Sequence, residues 1–104
     1  MIVTGWRTGT ANLKTGNGIG IRIRKTDRDK YFNREWKVVR IIYDSGETHE
    51  ISISKTFWSN CCELRNKYIG MWMIKNGLVP WRKHSPCACR LEPIEENLFK
   101  LYPN

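Results

Sequence analysis

The sequence predicts a single α+β domain, in which a curved, mainly antiparallel sheet closes partly into a β-barrel of about five to seven strands with one dominant helix. Short runs that alternate apolar and polar residues predict the strands, and one apolar stripe of helical period predicts the helix. The chain has 104 residues, 40% of them hydrophobic, with five tryptophans. That is enough to bury one modest core, so we expect one domain over residues 1–104.

The N-terminal part of the chain, residues 4–18, is dense in Gly, Thr and Asn, which favour turns. We expect a short first strand and then a loop, so that residues 1–18 form a mobile segment. Trp6 lies in this segment. Because large aromatic rings usually bury most of their area, we expect Trp6 to plug the core, with closure over a nucleic acid as the alternative.

The first well-marked strand runs from Gly18 to Lys25, where three isoleucines alternate with small or basic residues. This alternation places Arg22 and Arg24 together on the solvent side. A short helix is predicted next, over about 26–32, because Thr26 has an acid three residues later, the spacing of a capping box.

A β-hairpin follows the short helix. Residues 36–43 are rich in β-branched and aromatic side chains and predict a central strand. A glycine-containing turn leads to a returning strand over 48–54, in which His49 begins the inward row. A histidine at that position more often caps a core than acts as a titratable switch or base.

The dominant helix is predicted over about 57–76, and Gly77 stands where a left-handed residue would end it. Gly70 weakens its middle by about 1 kcal/mol relative to alanine. Two closing strands are expected at 87–92 and 98–101. The apolar stripe of the helix consists of Phe57, Cys61, Leu64, Tyr68, Met71 and Trp72.

Charge gives the main indication of function. Lys and Arg number 18 against 10 Asp and Glu, a net charge of +8. Residues 1–43 hold ten basic and three acidic side chains, so the excess is concentrated. Positive charge on regular secondary structure suits a polyanion, because neutralised phosphates release counterions. We therefore expect a non-catalytic nucleic-acid-binding protein, with DNA favoured over RNA.

Two surfaces are predicted to contact the nucleic acid. One is a loop in which Trp81 stands beside Arg82 and Lys83, a combination that stacks a base and neutralises its phosphate. The sequence favours equally the alternative that Trp81 packs onto the core and contacts no ligand. The other surface is the strand and short helix, with five cations: Arg22, Arg24, Lys25, Arg28 and Lys30.

Residues 20–53 resemble two groups of DNA-binding domains in their order of strand, short helix and paired strands. These groups are the swapped-hairpin transcription factors of the AbrB and MraZ type and the B3-type pseudobarrel domains. The resemblance implies a barrel-like DNA-binding domain that contacts DNA through strands and loops rather than through a recognition helix. It rests on the places of Gly20, Ile21, Ile23, Lys25 and Arg28.

Two other functions compete with nucleic-acid binding. Glu35 and Lys37, preceded by Asp27 and Asp29, fit a motif of metal-dependent nucleases, but helix capping already explains both aspartates. We therefore expect no catalytic residues, cofactor or metal. The stronger alternative is a protein-interaction module, an inhibitor or adaptor, that binds an acidic protein with the same charge.

The cysteines and the lack of long apolar runs suggest where the protein acts. Zinc sites usually place two to four residues between paired cysteines, unlike Cys61-Cys62 and Cys87-x-Cys89. Buried thiols are therefore favoured over a disulfide, and a disulfide over a metal site. No charged-then-apolar leader opens the chain and no stretch approaches the roughly 20 apolar residues that span a bilayer. We expect a cytoplasmic protein with no membrane partner.

Overall fold

Seven strands and two α-helices make up the fold, which the computed structural model describes from Met1 to Asn104. A single 3-10 turn, Lys55–Trp58, adds to these elements. The helices are α1 (Lys25–Tyr31) and α2 (Lys67–Lys75). The strands are β1 (Ile2–Arg7), β2 (Ile19–Arg22), β3 (Val38–Tyr43), β4 (Thr48–Ser52), β5 (Glu63–Arg65), β6 (Ala88–Glu95) and β7 (Leu98–Pro103).

The strands form one sheet in the order β4-β3-β7-β6-β1-β2-β5. Every neighbouring pair is antiparallel except β3 and β7, which run parallel. The two outermost strands, β4 and β5, come close to each other, so the sheet curls into a nearly closed barrel. The α+β barrel that the sequence predicts is therefore confirmed.

The interior of the barrel is filled by alternate residues of the strands, because successive side chains of a strand point to opposite faces. Ile19, Ile21 and Ile23 are at most 1% exposed, as the alternation predicts, while Arg22 and Arg24 between them are exposed. The other strands contribute in the same way, and 20 buried apolar residues form a single cluster. Residues outside the sheet complete this cluster, among them Phe57, Ile69 and Met73.

The helix predicted over residues 57–76 is wrong in extent, because three different elements share its apolar period. Phe57 belongs to the 3-10 turn and Leu64 to β5, and the helix begins only at Lys67. Leu64 is paired with Ile21 in the sheet, a position that no helical residue can take. Both apolar side chains are fully buried, so the pattern identifies core residues correctly while it assigns the wrong backbone.

Helix α2 is capped by Asn66, whose Oδ1 accepts a hydrogen bond from the backbone N–H of Tyr68 at 2.8 Å. It ends as predicted just before Gly77, which has a φ of +69°. Tyr68 and Met71 are 40% and 48% exposed, although the predicted stripe placed them in the core, whereas Ile69 is fully buried. Near Tyr68 and Met71 the buried face of α2 is therefore rotated from the predicted face by about 100°, the angle between successive residues of a helix.

Helix α1 lies within one residue of the predicted range 26–32 at both ends. The predicted capping box is wrong, because the N-cap is Arg24, which makes no side-chain capping hydrogen bond, and Thr26 is already helical. Arg28, in the middle of α1, is only 6% exposed. The helix is therefore anchored by a buried arginine rather than by a cap.

The N-terminal region is more regular than predicted, since β1 extends to Arg7 and includes Trp6. Residues 8–18 then form a loop, in which Asn12 Oδ1 accepts hydrogen bonds from two backbone N–H groups, at 2.8 and 3.0 Å. The mobility expected for residues 1–18 stays a prediction.

The two closing strands, β6 and β7, are longer than the predicted ranges 87–92 and 98–101. A tight turn at Glu96 and Asn97 joins them, and Glu96 takes a φ of +41° there. Neither helix has the length and apolar character that crossing a bilayer requires.

Candidate nucleic-acid interface

The outward side chains of β1, β2 and β5 form one continuous face of the barrel. The inward neighbours Ile21 and Leu64 are fully buried, so the residues between them point away from the core. Strand pairing aligns the outward residues in two rows across the three strands, Thr4–Arg22–Glu63 and Trp6–Gly20–Arg65.

Three of the predicted cations meet in one groove at the junction of β2 and α1. Arg22, Arg24 and Lys25 are exposed and line this basic groove, whose volume is about 420 Å³. Thr4 and Asn60 add a hydroxyl and an amide to its lining. Because a strand end and a helix start fix the backbone here, the charges are held close together before any ligand arrives.

A carboxylate beside the basic groove forms an ion pair with one of its arginines. The Nη2 atom of Arg22 lies 3.7 Å from Oε1 of Glu63, within ion-pair range but too far for a hydrogen bond. The Glu63 side chain is 7% exposed, and its Oε2 has no partner within the chain. The Arg22 side chain remains 58% exposed, so it is still available to an anion.

An aromatic ring and a guanidinium form a ridge next to the basic groove. The Cζ atom of Arg65 lies 5.3 Å from the centroid of the Trp6 ring, a cation–π contact. Two depressions of about 280 and 140 Å³ flank the pair, and Lys67 lines the larger one. Trp6 is half-buried on the outside of the barrel and takes no part in the core, so the prediction that it plugs the core is wrong.

The basic groove and these two depressions together are called the outer face below. Their lining contains a single carboxylate, that of Glu63. The lining of the outer face contains five cations, namely Arg22, Arg24, Lys25, Arg65 and Lys67.

Arg28 does not join this surface, although the sequence suggested it. Its Nη1 donates hydrogen bonds to the carbonyl oxygens of Phe57 at 3.1 Å and Ser59 at 3.2 Å, and to the Cys62 sulfur at 3.3 Å. Its Nε donates to Asp29 Oδ1 at 3.0 Å. The guanidinium is thus occupied inside the protein, where it ties α1 to the segment that precedes β5.

Lys30 and the Trp81 loop also lie apart from the basic groove. Lys30 is exposed on α1, with its Nζ 5.2 Å from the centroid of the Tyr31 ring, and lines a different depression. Trp81 packs inside the barrel end, where a Cβ atom on Gly5 would come within 2.7 Å of its ring. Trp81 therefore packs onto the core, which is the second of the two interpretations that the sequence allows.

Arg82 and Lys83 are exposed in the loop that follows Trp81. Because Trp81 packs on the inward side of β1 and Arg22 lies on its outward side, the two predicted surfaces do not merge. The outer face and the Arg82–Lys83 loop are separate basic regions.

The residues of the nuclease-like motif do not gather into a metal site. Asp29 accepts a hydrogen bond from Arg28, and Glu35 is exposed in a turn, where its backbone N–H donates to Asn33 Oδ1 at 2.9 Å. No group of three or more His, Cys, Asp or Glu side chains anywhere in the chain is arranged to hold a metal ion.

All four cysteines are free thiols, with Cys62 and Cys89 buried and Cys61 exposed. The hydrogen bond between the thiols of Cys87 and Cys89 lowers the pKa of Cys87 and, together with burial, raises the pKa of Cys89. Cys87 is only partly buried. It is therefore the thiol of this pair that can react.

We expect iodoacetamide at neutral pH to alkylate Cys87 and to spare Cys89. The substitution Cys89→Ala should slow alkylation of Cys87 several-fold, because it removes the hydrogen bond that favours the thiolate. Peptide mass spectrometry over a time course measures both rates, and exposed Cys61 serves as the internal reference. An unchanged Cys87 rate in the variant would contradict this account.

The outer face contains residues that the sequence did not point to. Arg65 lies within the predicted long helix, so its position beside β2 is hidden in the sequence, and Trp6 lies within a predicted loop. Lys67 is helical, as predicted. The alternation of Glu63, Leu64 and Arg65 is the one signal that could have revealed β5, but three residues are too few to stand out.

Comparisons with protein-family models, curated proteins and solved structures give no match to this chain.

Proposed function

We propose that the protein binds nucleic acid, and DNA in preference, through the outer face without catalysing a reaction. The observation that carries the proposal is the composition of this face, five cations and an indole ring against one carboxylate. Phosphates require placed positive charge, and bases offer flat surfaces for an aromatic ring. Both requirements are met on one side of a rigid sheet.

The mode of contact follows from the elements that present these groups. Arg22 and Arg65 project from neighbouring strands and Lys25 from the start of a short helix. No exposed recognition helix is involved, in keeping with the families that residues 20–53 resemble. Contacts of this kind position a protein on the phosphate backbone and carry little sequence information by themselves.

A salt series with duplex DNA of about 20 base pairs tests the proposal. Affinity should fall steeply between about 50 and 200 mM salt, and Arg22→Ala/Arg24→Ala should reduce the slope of log affinity against log salt by up to about two, since each lost phosphate contact accounts for about 0.9. Fluorescence anisotropy measures the affinities.

The matched control for the salt series is Lys37→Ala/Lys100→Ala, which removes the same charge from exposed positions away from the outer face. Its slope should stay close to that of the parent protein. Equal slopes for the two double variants would mean that only net charge matters and would overturn the assignment of the surface. Absence of DNA binding at the lowest salt would overturn the function itself and leave the acidic-protein alternative.

A further inference from the structure

The basic groove forms where β2 ends and the chain turns into α1. Ile2 and Thr4 of β1 flank it on one side, and Asn60 and Cys62, which precede β5, flank it on the other. The backbone N–H of Ile23 donates to the carbonyl of Cys62 at 2.8 Å and fixes the second side. The volume of about 420 Å³ lies within the range of sites that take in a small molecule. The groove can therefore take in the end of a nucleic-acid strand.

The polar side chains that line the basic groove are free to bind a ligand. No hydrogen bond within the protein engages any of the five, which are Thr4, Arg22, Arg24, Lys25 and Asn60. Each carries N–H or O–H donors, and the two arginines and the lysine carry most of them. Phosphate oxygens are strong acceptors for such charged donors.

Two of the three cations in the basic groove have no ion pair. Arg22 lies 3.7 Å from Glu63, whose carboxylate offsets part of its charge. Arg24 and Lys25 are exposed and form no ion pair, and the lining contains no carboxylate. These two uncompensated charges match a phosphate monoester, which carries close to two negative charges near neutral pH. A phosphodiester within a strand carries only one.

A further positive charge lies behind one side of the basic groove. Cys62 lines the groove, and its sulfur accepts a hydrogen bond of 3.3 Å from Nη1 of Arg28. Arg28 is 6% exposed, so water and salt screen its charge weakly. Asp29 offsets part of that charge, but its side chain is 59% exposed. An anion in the groove is therefore attracted by Arg28 without contacting it.

We propose that the basic groove binds the terminal phosphate monoester of a DNA strand, an inference that rests on the proposed function of the outer face. The monoester has three terminal oxygens for the donors of Arg24, Lys25 and Asn60, and its charge matches the two unpaired cations. An internal phosphodiester has two free oxygens and one charge. Its neighbours on both sides also hold it at the surface of the duplex, whereas a strand end can enter the groove.

The test compares duplexes of one sequence, about 20 base pairs long, that differ only at their ends. The ends carry hydroxyls, 5′-phosphates or 3′-phosphates, and fluorescein on an internal base reports binding by anisotropy at about 50 mM salt. One of the two phosphorylated duplexes should bind about fivefold more tightly than the hydroxyl-ended one, since exposed ion pairs each contribute modestly. The methyl ester of the preferred phosphate keeps its position but carries one charge, so it should bind like the hydroxyl-ended duplex.

The outcomes separate this inference from the proposed function. Equal affinities for the hydroxyl-ended and both phosphorylated duplexes would overturn the inference and leave the proposed function standing. A methyl ester that binds as tightly as the phosphate would also overturn it, because the second charge would then contribute nothing. Absence of binding by every duplex would overturn the proposed function as well.

Three variants locate the terminal phosphate on the outer face, all at exposed positions. Arg24→Ala/Lys25→Ala should abolish the fivefold preference, and so should Asn60→Asp, which places a carboxylate in the groove. Arg65→Ala/Lys67→Ala is the matched control, because it removes the same charge from the outer face beyond the groove. It should weaken every duplex and keep the preference. A preference that survives the first two variants would place the phosphate elsewhere and overturn the assignment.

Discussion

Arg28→Ala should destabilise the protein by about 2–5 kcal/mol, because it removes a buried side chain together with the donors of its hydrogen bonds to Phe57, Ser59 and Cys62. The guanidinium is buried and donates to two backbone carbonyls, those of Phe57 and Ser59, and to the Cys62 sulfur. Alanine leaves these acceptors without a donor and opens a hole beneath α1. Because a domain of this size is stable by about 5–15 kcal/mol, the midpoint of urea denaturation should fall steeply.

Arg34→Ala is the matched control for this prediction. Arg34 also lies over the Trp58 ring, with its Cζ 4.7 Å from the centroid, against 5.2 Å for Arg28. It is exposed, so the loss of its cation–π contact should cost at most about 1 kcal/mol. Should Arg28→Ala fail to fold, Arg28→Lys should fold with an intermediate loss, since lysine keeps the charge and some of the donors. Similar stabilities for the Arg28→Ala and Arg34→Ala proteins would refute the anchoring role.

Gly70→Ala should destabilise the protein by up to about 2 kcal/mol, although alanine is the better helix former. A Cβ atom at this position would collide with the backbone of Gly16, whose Cα would lie 2.8 Å away and whose carbonyl oxygen would be closer still. The gain in helix propensity is about 1 kcal/mol, whereas overpacking typically costs about 1–3 kcal/mol and occasionally more. Both colliding groups are backbone, so neither can rotate away, and the steric cost should exceed the gain.

Gly9→Ala provides the comparison for Gly70→Ala. No atom lies within 4 Å of a Cβ built on Gly9, and its φ is not in the left-handed region. Alanine there should be neutral or stabilising by up to about 1 kcal/mol, through a less flexible unfolded chain. Thermal and urea denaturation of both variants measure the two changes in the free energy of unfolding. A Gly70→Ala protein as stable as its parent would show that the loop around Gly16 can move away from α2.

Period-two alternation predicted strands β2 and β4 from the sequence. The alternation of Ile19, Ile21 and Ile23 predicts β2. Because these side chains are buried, Arg22 and Arg24 point outward. This part of the basic groove could be predicted because a strand needs only local information to separate its two faces.

Reasoning from local patterns also produces the wrong prediction of one long helix over residues 57–76. Phe57 and Leu64 are seven residues apart, a spacing that one helical face would also produce, and the pairing of Leu64 with Ile21 is invisible in a single segment. The error hid β5, and with it the position of Arg65 on the outer face.

Arg28 shows a second limit of sequence patterns. A basic residue in a short helix normally points to solvent, and nothing nearby in the sequence marks this one as buried. Its partners are the carbonyls of Phe57 and Ser59, which any residue type would supply. The exposure of Tyr68 and Met71 is hidden for a related reason, since both resemble core residues in the sequence although the fold leaves them 40% and 48% exposed.

The parallel pairing of β3 with β7 has a consequence for how the molecule folds. β7 is the last strand along the chain, yet it lies between β3 and β6 in the sheet. Until residues 98–103 are in place, both of those strands have an unpaired edge and the barrel has no closed interior. Such long-range pairing slows folding toward the millisecond-to-second range of β-rich proteins. Because a tight turn joins β6 to β7, the long-range step is the docking of this hairpin onto β3. That step, rather than helix formation, should limit the folding rate and set the period during which the open edges can associate with other chains.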